Sequence, residues 1–230
     1  MFDADRDLFE RSRAYVESTC TPRELLAAAS GVDEATLQGL EEAGGMPAAT
    51  YTLFDGAIRS AIRELGEPPQ QGGRAFYAPA VIAWLRRAAL LDADALRTWF
   101  GESFEAALLA QAPDARVHGW ARLFTTDGAV DRDALAAEVQ SLNADWMNGG
   151  WAVCLRRWNG YHVVTKDLER ARIGTITADG TRDTLSAAER LALQDAIESL
   201  DAVMLSFAPF ERPHGTPGLY IDAMRERYAV

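Results

Sequence analysis

A stretch between residues 151 and 182 carries the side chains best suited to binding chemistry. Six basic residues and three acidic ones lie there, in a chain whose net charge is −11. The aromatic and basic side chains that alternate along its first half are Trp151, Arg156, Trp158, Tyr161, His162 and Lys166. Such groups together can hold the carboxylate or phosphate of a small ligand, or an acidic partner. The alternative is a solvated surface that pairs with the acidic helices of the same chain.

Glu211 and Arg212 form a second candidate for ligand or partner binding. They follow Phe207 and Phe210, which can anchor the segment on the core, and they lie in a loop rich in proline and glycine. Pro209 ends the preceding helix because proline disfavours helical backbone in the residue before it. The charged pair can either fasten the last helix of the chain or meet a ligand.

Motifs of known catalytic sites do not occur in the sequence. There is no phosphate-binding P-loop, dinucleotide fingerprint, serine nucleophile elbow or zinc-protease motif. The three histidines are far apart, and the Asp-x-Asp pairs at 92–94 and 131–133 precede helices, where aspartate caps the first turn. The sequence therefore predicts no metal and no cofactor, and any catalytic residue stays unknown.

Residues 21–45 read as two short helices joined by a Ser-Gly-Val turn. With the extended piece and helix that follow, this helix-turn-helix-like segment resembles the start of a transcription regulator of the mercury-resistance type. Its second helix, however, holds acidic residues and no basic one, and residues 21–67 carry three basic and eight acidic side chains. DNA recognition needs basic or amide side chains facing phosphates and bases, so a structural or partner-binding use is favoured over DNA binding.

The elements that must position these residues are mostly helices. Leu135, Val139, Leu142 and Trp146 recur at the spacing of one buried helix face. The run WAVCLRR, then Asn159-Gly160, then YHVVTK predicts two strands around a tight turn. The sequence thus predicts a mainly α protein with a small β-hairpin in an α+β C-terminal half. We expect a helical domain over 1–145 with the helix-turn-helix-like start, and an α+β domain over 146–230 packed on it.

Composition narrows the class of protein further. The acidic charge disfavours nucleic acids and anionic membranes, and no apolar run is long enough to span a bilayer. The N-terminus lacks the apolar stretch of a signal peptide, and the two cysteines are far apart. These features are typical of a cytoplasmic protein with free thiols.

Several segments together resemble an uncharacterised bacterial family, a domain of unknown function labelled as natural-product biosynthesis proteins. In chain order they are GGMPAATY, AFYAPAVIAW, GGWAVCLRR, VTKDLER and SLDAVMLSFAPFERPHGTPGLYIDAMRERY. The chain departs from that pattern at Phe210 and Ala78, where the family has histidine, and at Asp167, where it has glutamate. The segment HGTPG also replaces a serine-arginine segment. If the family uses those histidines for chemistry, this member has lost it.

The resemblance implies a non-redox, non-catalytic accessory protein of a bacterial small-molecule pathway. It would bind an anionic intermediate or a partner enzyme and steer product formation. The alternatives are an enzyme of unrecognised type acting on a small anionic metabolite, and a helix-turn-helix transcription regulator.

Overall fold

The computed structural model describes residues 3–230, which form eleven α-helices and five short β-strands. The helices are α1 (Asp3–Thr19), α2 (Leu26–Ser30), α3 (Glu34–Glu42), α4 (Pro79–Ala88), α5 (Ala93–Ala110), α6 (Ala112–Ala115), α7 (Arg132–Met147), α8 (Gly150–Cys154), α9 (Gly160–Thr177), α10 (Ala187–Val203) and α11 (Ala223–Tyr228). The strands are β1 (Thr21–Pro22), β2 (Tyr51–Phe54), β3 (Ala57–Ser60), β4 (Glu64–Leu65) and β5 (Arg74–Tyr77).

The five strands form one antiparallel sheet in the order β1-β5-β2-β3-β4. Strands β2 and β3 are joined by the two residues Asp55-Gly56, and Phe54 pairs with Ala57 across the turn. Gly56 has a φ of 75°, the left-handed backbone that hairpin turns require. Asp55-Gly56 therefore forms the tight turn of the β2–β3 hairpin.

The position of the sheet corrects the predicted fold class. The protein is mainly helical as expected, but its sheet lies at residues 21–77, in the N-terminal region, and the predicted C-terminal hairpin is wrong. The residues expected to form its two strands belong largely to α8 and α9. Helix α9 packs against both α5 and α10, and it is buried on most of its faces. A helix enclosed in this way shows no 3.6-residue hydrophobic stripe, so its valines resemble a strand.

Asn159 and Gly160 begin α9 instead of forming a turn. The Asn159 side chain caps the helix by accepting a hydrogen bond from the His162 amide at 2.9 Å. A Cβ atom at Gly160 would lie 2.2 Å from the carbonyl oxygen of Ser103 on α5. Glycine is required here because the backbones of α5 and α9 approach too closely for any side chain.

The helix-turn-helix-like segment forms α2 and α3, as the sequence indicates. Gly31 ends α2 with a φ of 72°, and the Asp33 side chain caps α3 by accepting from the Thr36 amide at 2.9 Å. Arg23 lies in the 3₁₀ turn before α2 and donates hydrogen bonds to two carboxylates of α3, Glu34 at 2.8 Å and Glu41 at 2.6 Å. The acidic charge of α3 is thus partly neutralised within the segment.

Stacked aromatic rings fill the core of the C-terminal half. Trp158 lies between Phe100 and Trp146, with ring centroids 4.3 and 4.7 Å away and nearly parallel planes. Trp84 packs against Trp146 in a tilted arrangement, with centroids 6.4 Å apart and planes at 56°. Each such pair adds about 0.5–1.5 kcal/mol beyond the burial of its area, so this column fixes α4, α5, α7 and the start of α9 together.

The chain ends in an irregular segment that leads into a helix. A 3₁₀ turn at Arg212–His214 precedes a π-helix at Pro217–Asp222, which continues directly into α11. Buried apolar side chains from α1 to α11 form one cluster. The division of the chain at residue 145 stays a prediction, and the hydrogen bonds of Glu211 described below cross it.

Candidate functional site

Two of the predicted site residues, Trp151 and Lys166, lie together around a small cavity. The two side chains line an open surface cavity of about 360 Å³ between the turn after β3, the end of α7, α8 and α9. The full lining is Ala61, Ile62, Asp145, Asn148, Gly150, Trp151, Cys154 and Lys166. This cavity is the candidate functional site.

Lys166 is the only lysine of the chain, and it is buried, with 7% of its surface exposed. Its Nζ lies 4.1 Å from the centroid of the Trp151 ring, over the ring face. The nearest carboxylate oxygen among the described residues is Asp167 Oδ1, 4.0 Å away, which is beyond hydrogen-bond distance. Nζ makes no hydrogen bond with residues 3–230 yet keeps some contact with solvent, so an acceptor inside the cavity can reach it.

Asp167 is shared between two cations. Its Oδ1 lies 3.6 Å from Arg170 and 4.0 Å from Lys166, and this buried oxygen accepts no hydrogen bond from residues 3–230. Because Asp167 divides its charge between Arg170 and Lys166, it does not fully satisfy the Lys166 ammonium. The donors of Nζ stay available to a molecule inside the cavity.

Cys154 also lines the cavity, and it lies on a helix instead of on the strand that the run WAVCLRR predicts. It is the last residue of α8 and is half-buried. Burial raises the pKa of its thiol, while nearby Lys166 opposes that rise. Cys154 is therefore mostly protonated at neutral pH and a weak nucleophile.

Trp158 and Arg156 have structural positions instead of lining the cavity. Trp158 is buried within the aromatic column. Arg156 donates hydrogen bonds to the carbonyl oxygens of Met204 at 2.7 Å and Asp201 at 3.3 Å, at the end of α10. A guanidinium at this place satisfies carbonyl groups that a helix end leaves without partners.

Tyr161 and His162 lie together at the start of α9, outside the cavity lining. Their rings meet edge to face with centroids 5.7 Å apart, and Tyr161 is 56% exposed. His162 Nδ1 lies 2.9 Å from the Asn159 side-chain oxygen. Burial and the nearby Arg157 and Arg156 lower the pKa of His162, so the ring is neutral at physiological pH.

Glu211 is buried in a polar cluster that joins the N-terminal sheet to the C-terminal segment. It is 1% exposed, and its carboxylate accepts hydrogen bonds from the hydroxyls of Tyr51, at 2.8 Å, and Ser60. Burial raises the pKa of Glu211, and the two hydroxyl donors oppose the rise. Glu211 thus binds the sheet to the loop after α10.

Arg212 points away from Glu211, although the two are adjacent in sequence. Its guanidinium forms two parallel hydrogen bonds with Asp222, at 2.7 and 2.8 Å, and a third with the carbonyl oxygen of Ser206 at 2.7 Å. These contacts hold the loop against the π-helix. The two residues do not form one ion pair for a ligand, as the sequence had allowed.

The remaining cavity residues carried no signal in the sequence. Asp145 and Asn148 come from the end of α7, and Ala61 and Ile62 come from the turn after β3, about ninety residues earlier. A single sequence does not indicate contacts between such distant segments. Lys166 stood out only through its rarity and its aromatic neighbours.

Glu169 is a further buried acid, on the next turn of α9 after Lys166. Its side chain is 6% exposed overall, and its buried Oε2 accepts no hydrogen bond from the described residues. Burial raises its pKa to about 7, against the pull of Arg172, whose Nη1 is 3.6 Å away. It belongs to the packing of α9 rather than to the cavity.

The Asp-x-Asp motifs at 92–94 and 131–133 act as helix caps, as predicted. Asp92 accepts from the Ala95 amide at 2.8 Å, and Asp131 accepts from the amides of Asp133 and Ala134 at 3.0 Å. Across residues 3–230 no group of three or more His, Cys, Asp or Glu side chains is placed to hold a metal ion. None of the described helices is both long and apolar enough to cross a membrane.

Comparison with known proteins identifies a family. The chain belongs to a family of unknown function, DUF6058, whose sequence model matches residues 96–229, more than half of the chain. No curated protein and no solved structure matches it. The match contains the cavity residues of α7, α8 and α9. It confirms the expected membership of an uncharacterised family, whereas the helix-turn-helix-like segment at 21–45 lies outside it and its resemblance stays a prediction.

Proposed function

We propose that this protein binds a small anionic molecule in the Lys166 cavity. The observation that carries the proposal is the Lys166 ammonium, which lies over Trp151 and beyond hydrogen-bond distance of the nearest carboxylate. A carboxylate or phosphate oxygen of a ligand would give Nζ the strong acceptor that it lacks. The volume of about 360 Å³ is at the small end of ligand pockets.

The other polar residues of the cavity narrow the ligand class. Asp145 and Asn148 are exposed at its mouth. A ligand hydroxyl or amino group would donate to Asp145, and the side-chain amide of Asn148 both donates and accepts. The favoured ligand therefore carries one acid group and at least one hydroxyl or amino group.

We infer that this binding serves an accessory role in a bacterial natural-product pathway, presenting an anionic intermediate to a partner enzyme. The support is the resemblance of the chain to proteins labelled for such pathways and the lack of a recognised catalytic motif. Glu211 and Arg212, once candidates for the same role, support the fold in this proposal.

The alternative proposal is an enzyme acting on a small anionic metabolite. One observation favours it, since an amine, Lys166, and a thiol, Cys154, line the same cavity, and both are nucleophile types used in covalent catalysis. Borohydride reduction in the presence of glyoxylate, followed by mass spectrometry, distinguishes the two. A stable adduct on Lys166 supports the enzyme, and an unmodified chain supports simple binding.

The test of binding uses Lys166→Met, which keeps the length and apolar stem of the side chain. Titration is followed by tryptophan fluorescence, with lactate, malate, serine and phosphoserine as probes and the methyl ester of lactate as the uncharged reference. We expect at least one anionic probe to bind saturably and Lys166→Met to weaken it tenfold or more. Arg157→Met, an exposed position nearby with the same loss of charge, is the control.

Folding is checked separately from binding. Lys166→Met loses the contact with the Trp151 ring and a cation beside Asp167 but keeps the apolar stem, so we expect it to fold with a modestly lower melting temperature. Equal affinity in Lys166→Met and the wild type would overturn the proposed site, as would a failure of Lys166→Met to fold. If none of the probes binds up to 10 mM (about the weakest affinity of interest), the anionic ligand class is wrong.

A further inference from the structure

One wall of the Lys166 cavity comes from the N-terminal sheet. It is the turn that joins β3 to β4, and the residues of this turn that line the cavity are Ala61 and Ile62. Ile62 is 50% exposed, so its side chain lies at the rim, between the cavity and solvent. A large apolar side chain at a rim limits the size of the molecules that pass it, so the position of this turn determines how wide the cavity opens.

Ser60, the last residue of β3, holds the turn by hydrogen bonds. Its hydroxyl oxygen accepts from the backbone amides of Ile62 at 3.2 Å and Arg63 at 3.1 Å. Its own backbone amide donates to the carbonyl oxygen of Arg63 at 2.8 Å. Serine hydroxyls order turns by such bonds to the backbone that follows them, so this one residue fixes the turn on both sides of Ile62.

The Ser60 side chain is anchored on Glu211. Ser60 is buried, and its hydroxyl donates to the Glu211 carboxylate, which also accepts from Tyr51 at 2.8 Å. A hydrogen bond to an ionised group is stronger than one between neutral groups. The cation of Arg63, on the turn itself, opposes the rise in the pKa of Glu211, so the turn is also attracted to this carboxylate. Glu211 therefore ties the turn to the loop after α10.

The turn also packs against the backbone that follows α7. Gly149 has a φ of 84°, and a Cβ atom there would lie 3.4 Å from the Cβ of Ala61 and 3.3 Å from the carbonyl oxygen of Ala48. The Ala48 amide donates to the carbonyl oxygen of Met147, the last residue of α7, at 2.8 Å. The wall formed by Ala61 is therefore in direct contact with the end of α7, which supplies other residues of the cavity.

We propose that Ser60, anchored by Glu211, is a positioning residue that fixes Ala61 and Ile62 as the rim limiting the size of ligands in the Lys166 cavity. The inference rests on the proposed function and adds the size class of the ligand. Acids of the size of lactate pass Ile62, whereas acids with a bulky side chain, such as 3-phenyllactate, do not. The charge that binds the ligand lies within the stretch that matches the family, and the rim that selects it lies before that stretch.

The test uses the thiol of Cys154 as a reporter, because Cys154 lines the same cavity and its labelling requires no bound anion. N-methylmaleimide and the bulkier N-phenylmaleimide react with thiols by the same chemistry, and peptide mass spectrometry gives the rate at Cys154 for each. Dividing these rates by those for glutathione removes the difference in intrinsic reactivity. We expect the wild type to favour the small reagent about tenfold and Ile62→Ala and Ser60→Ala to lower this preference to about twofold, because a shortened or loosened rim admits both reagents.

Two controls separate the rim from a general loss of stability. Tyr51→Phe removes the other hydroxyl donor of Glu211 but leaves the bonds of Ser60 to the turn, so it should keep the wild-type preference. Leu90→Ala shortens an apolar side chain that is 83% exposed and outside the cavity lining, and it should also keep this preference. Glu211→Gln should have a smaller effect than Ser60→Ala, because the amide oxygen still accepts from Ser60. The thiol of Cys20, which is buried, should stay unlabelled.

A preference for the small reagent that stays at the wild-type value in Ile62→Ala or in Ser60→Ala would overturn the proposal. So would a Cys154 that neither reagent labels in any of the variants. A change in Tyr51→Phe as large as that in Ser60→Ala would also overturn it, because the effect would then follow from lost stability alone. If Ser60→Ala exposes Cys20 as well, Ile62→Ala decides, because it breaks no hydrogen bond.

The size class is tested by titration with lactate and 3-phenyllactate, followed by tryptophan fluorescence. We expect 3-phenyllactate to bind Ile62→Ala and not the wild type, and equal binding of 3-phenyllactate to the two proteins would overturn the size limit. If neither acid binds either protein, the proposed anion site is wrong, whereas the labelling of Cys154 still decides whether Ser60 and Ile62 form the rim.

Discussion

Replacing Glu169 by glutamine should stabilise the protein at alkaline pH and have little effect at acid pH. Burial raises the pKa of Glu169 from its ordinary value of 4.5 to about 7 in the folded protein. Below pH 4.5 both folded and unfolded chains hold the proton, so the residue adds no pH-dependent cost. Between pH 4.5 and 7 the unfolded chain releases the proton first, and the folded state loses stability as pH rises.

The size of the effect follows from the shift. One pKa unit corresponds to about 1.4 kcal/mol, so a shift from 4.5 to about 7 gives an upper limit of about 3 kcal/mol above pH 7. Arg172 lies only 3.6 Å from the carboxylate and will be left without it in the variant. We therefore expect Glu169→Gln to gain about 1–3 kcal/mol relative to the wild type between pH 5 and pH 8.

The assay is urea unfolding followed by circular dichroism, at several pH values from 5 to 8, for both proteins. Taking the difference between the two cancels the titration of every other group. Glu198→Gln, at an exposed position of α10, is the control, and its difference from the wild type should stay constant over this range. A constant difference for Glu169→Gln as well, or one that decreases with pH, would refute the assignment of Glu169 as a buried, protonated acid.

Three further results are expected. Arg212→Ala should lower the free energy of unfolding by about 1–2 kcal/mol, since it removes the charge-assisted hydrogen bonds with Asp222. A double-mutant cycle with Asp222→Ala should show coupling between the two residues, and independent effects would contradict the ion pair. Gly160→Ala should be among the single changes that most lower the melting temperature, because its Cβ would overlap the Ser103 carbonyl oxygen. A melting temperature equal to that of the wild type would show that α5 and α9 are not in close contact. No DNA duplex should be retarded in a gel at physiological salt, because α3 carries no basic residue; sequence-specific retardation would restore the regulator hypothesis.

The helices with one exposed face could be predicted from the sequence. The four apolar residues from Leu135 to Trp146 repeat on one side of α7, and the structure places them there, three of them fully buried. The Ser186–Glu189 capping box likewise marks the start of α10. These signals are local, so neighbouring elements do not override them.

The elements that the sequence did not reveal depend on tertiary contacts. Helix α9 is enclosed by two other helices, and most of its residues are buried, so its apolar residues do not form one stripe. Its Asn-Gly start looks like a turn signal until the close approach to Ser103 is known. At Asp55-Gly56 the error is the reverse, because a real hairpin turn is not predicted from the sequence. The two strands on either side of it are only four residues long. Short strands carry too few alternating residues to stand out against helices.

The candidate site residues also divide into those that the sequence indicated and those that it did not. Trp151 and Lys166 are close in sequence, so an unusual local composition was enough to bring them to notice. Ala61 and Ile62 come from the turn after β3, far from Trp151 in the sequence, and no local pattern connects them with it.

The bond between Tyr51 and Glu211 has a consequence for how the protein is made. The two residues are 160 positions apart, so the strands of the sheet are synthesised long before Glu211, whose carboxylate accepts hydrogen bonds from their hydroxyls. Contacts over such separations slow folding, because the intervening chain must first be brought to order. A chain shortened to residues 96–229 would keep Glu211 but lose both Tyr51 and Ser60. The stretch that matches the family therefore relies on the residues before it to complete its own interior.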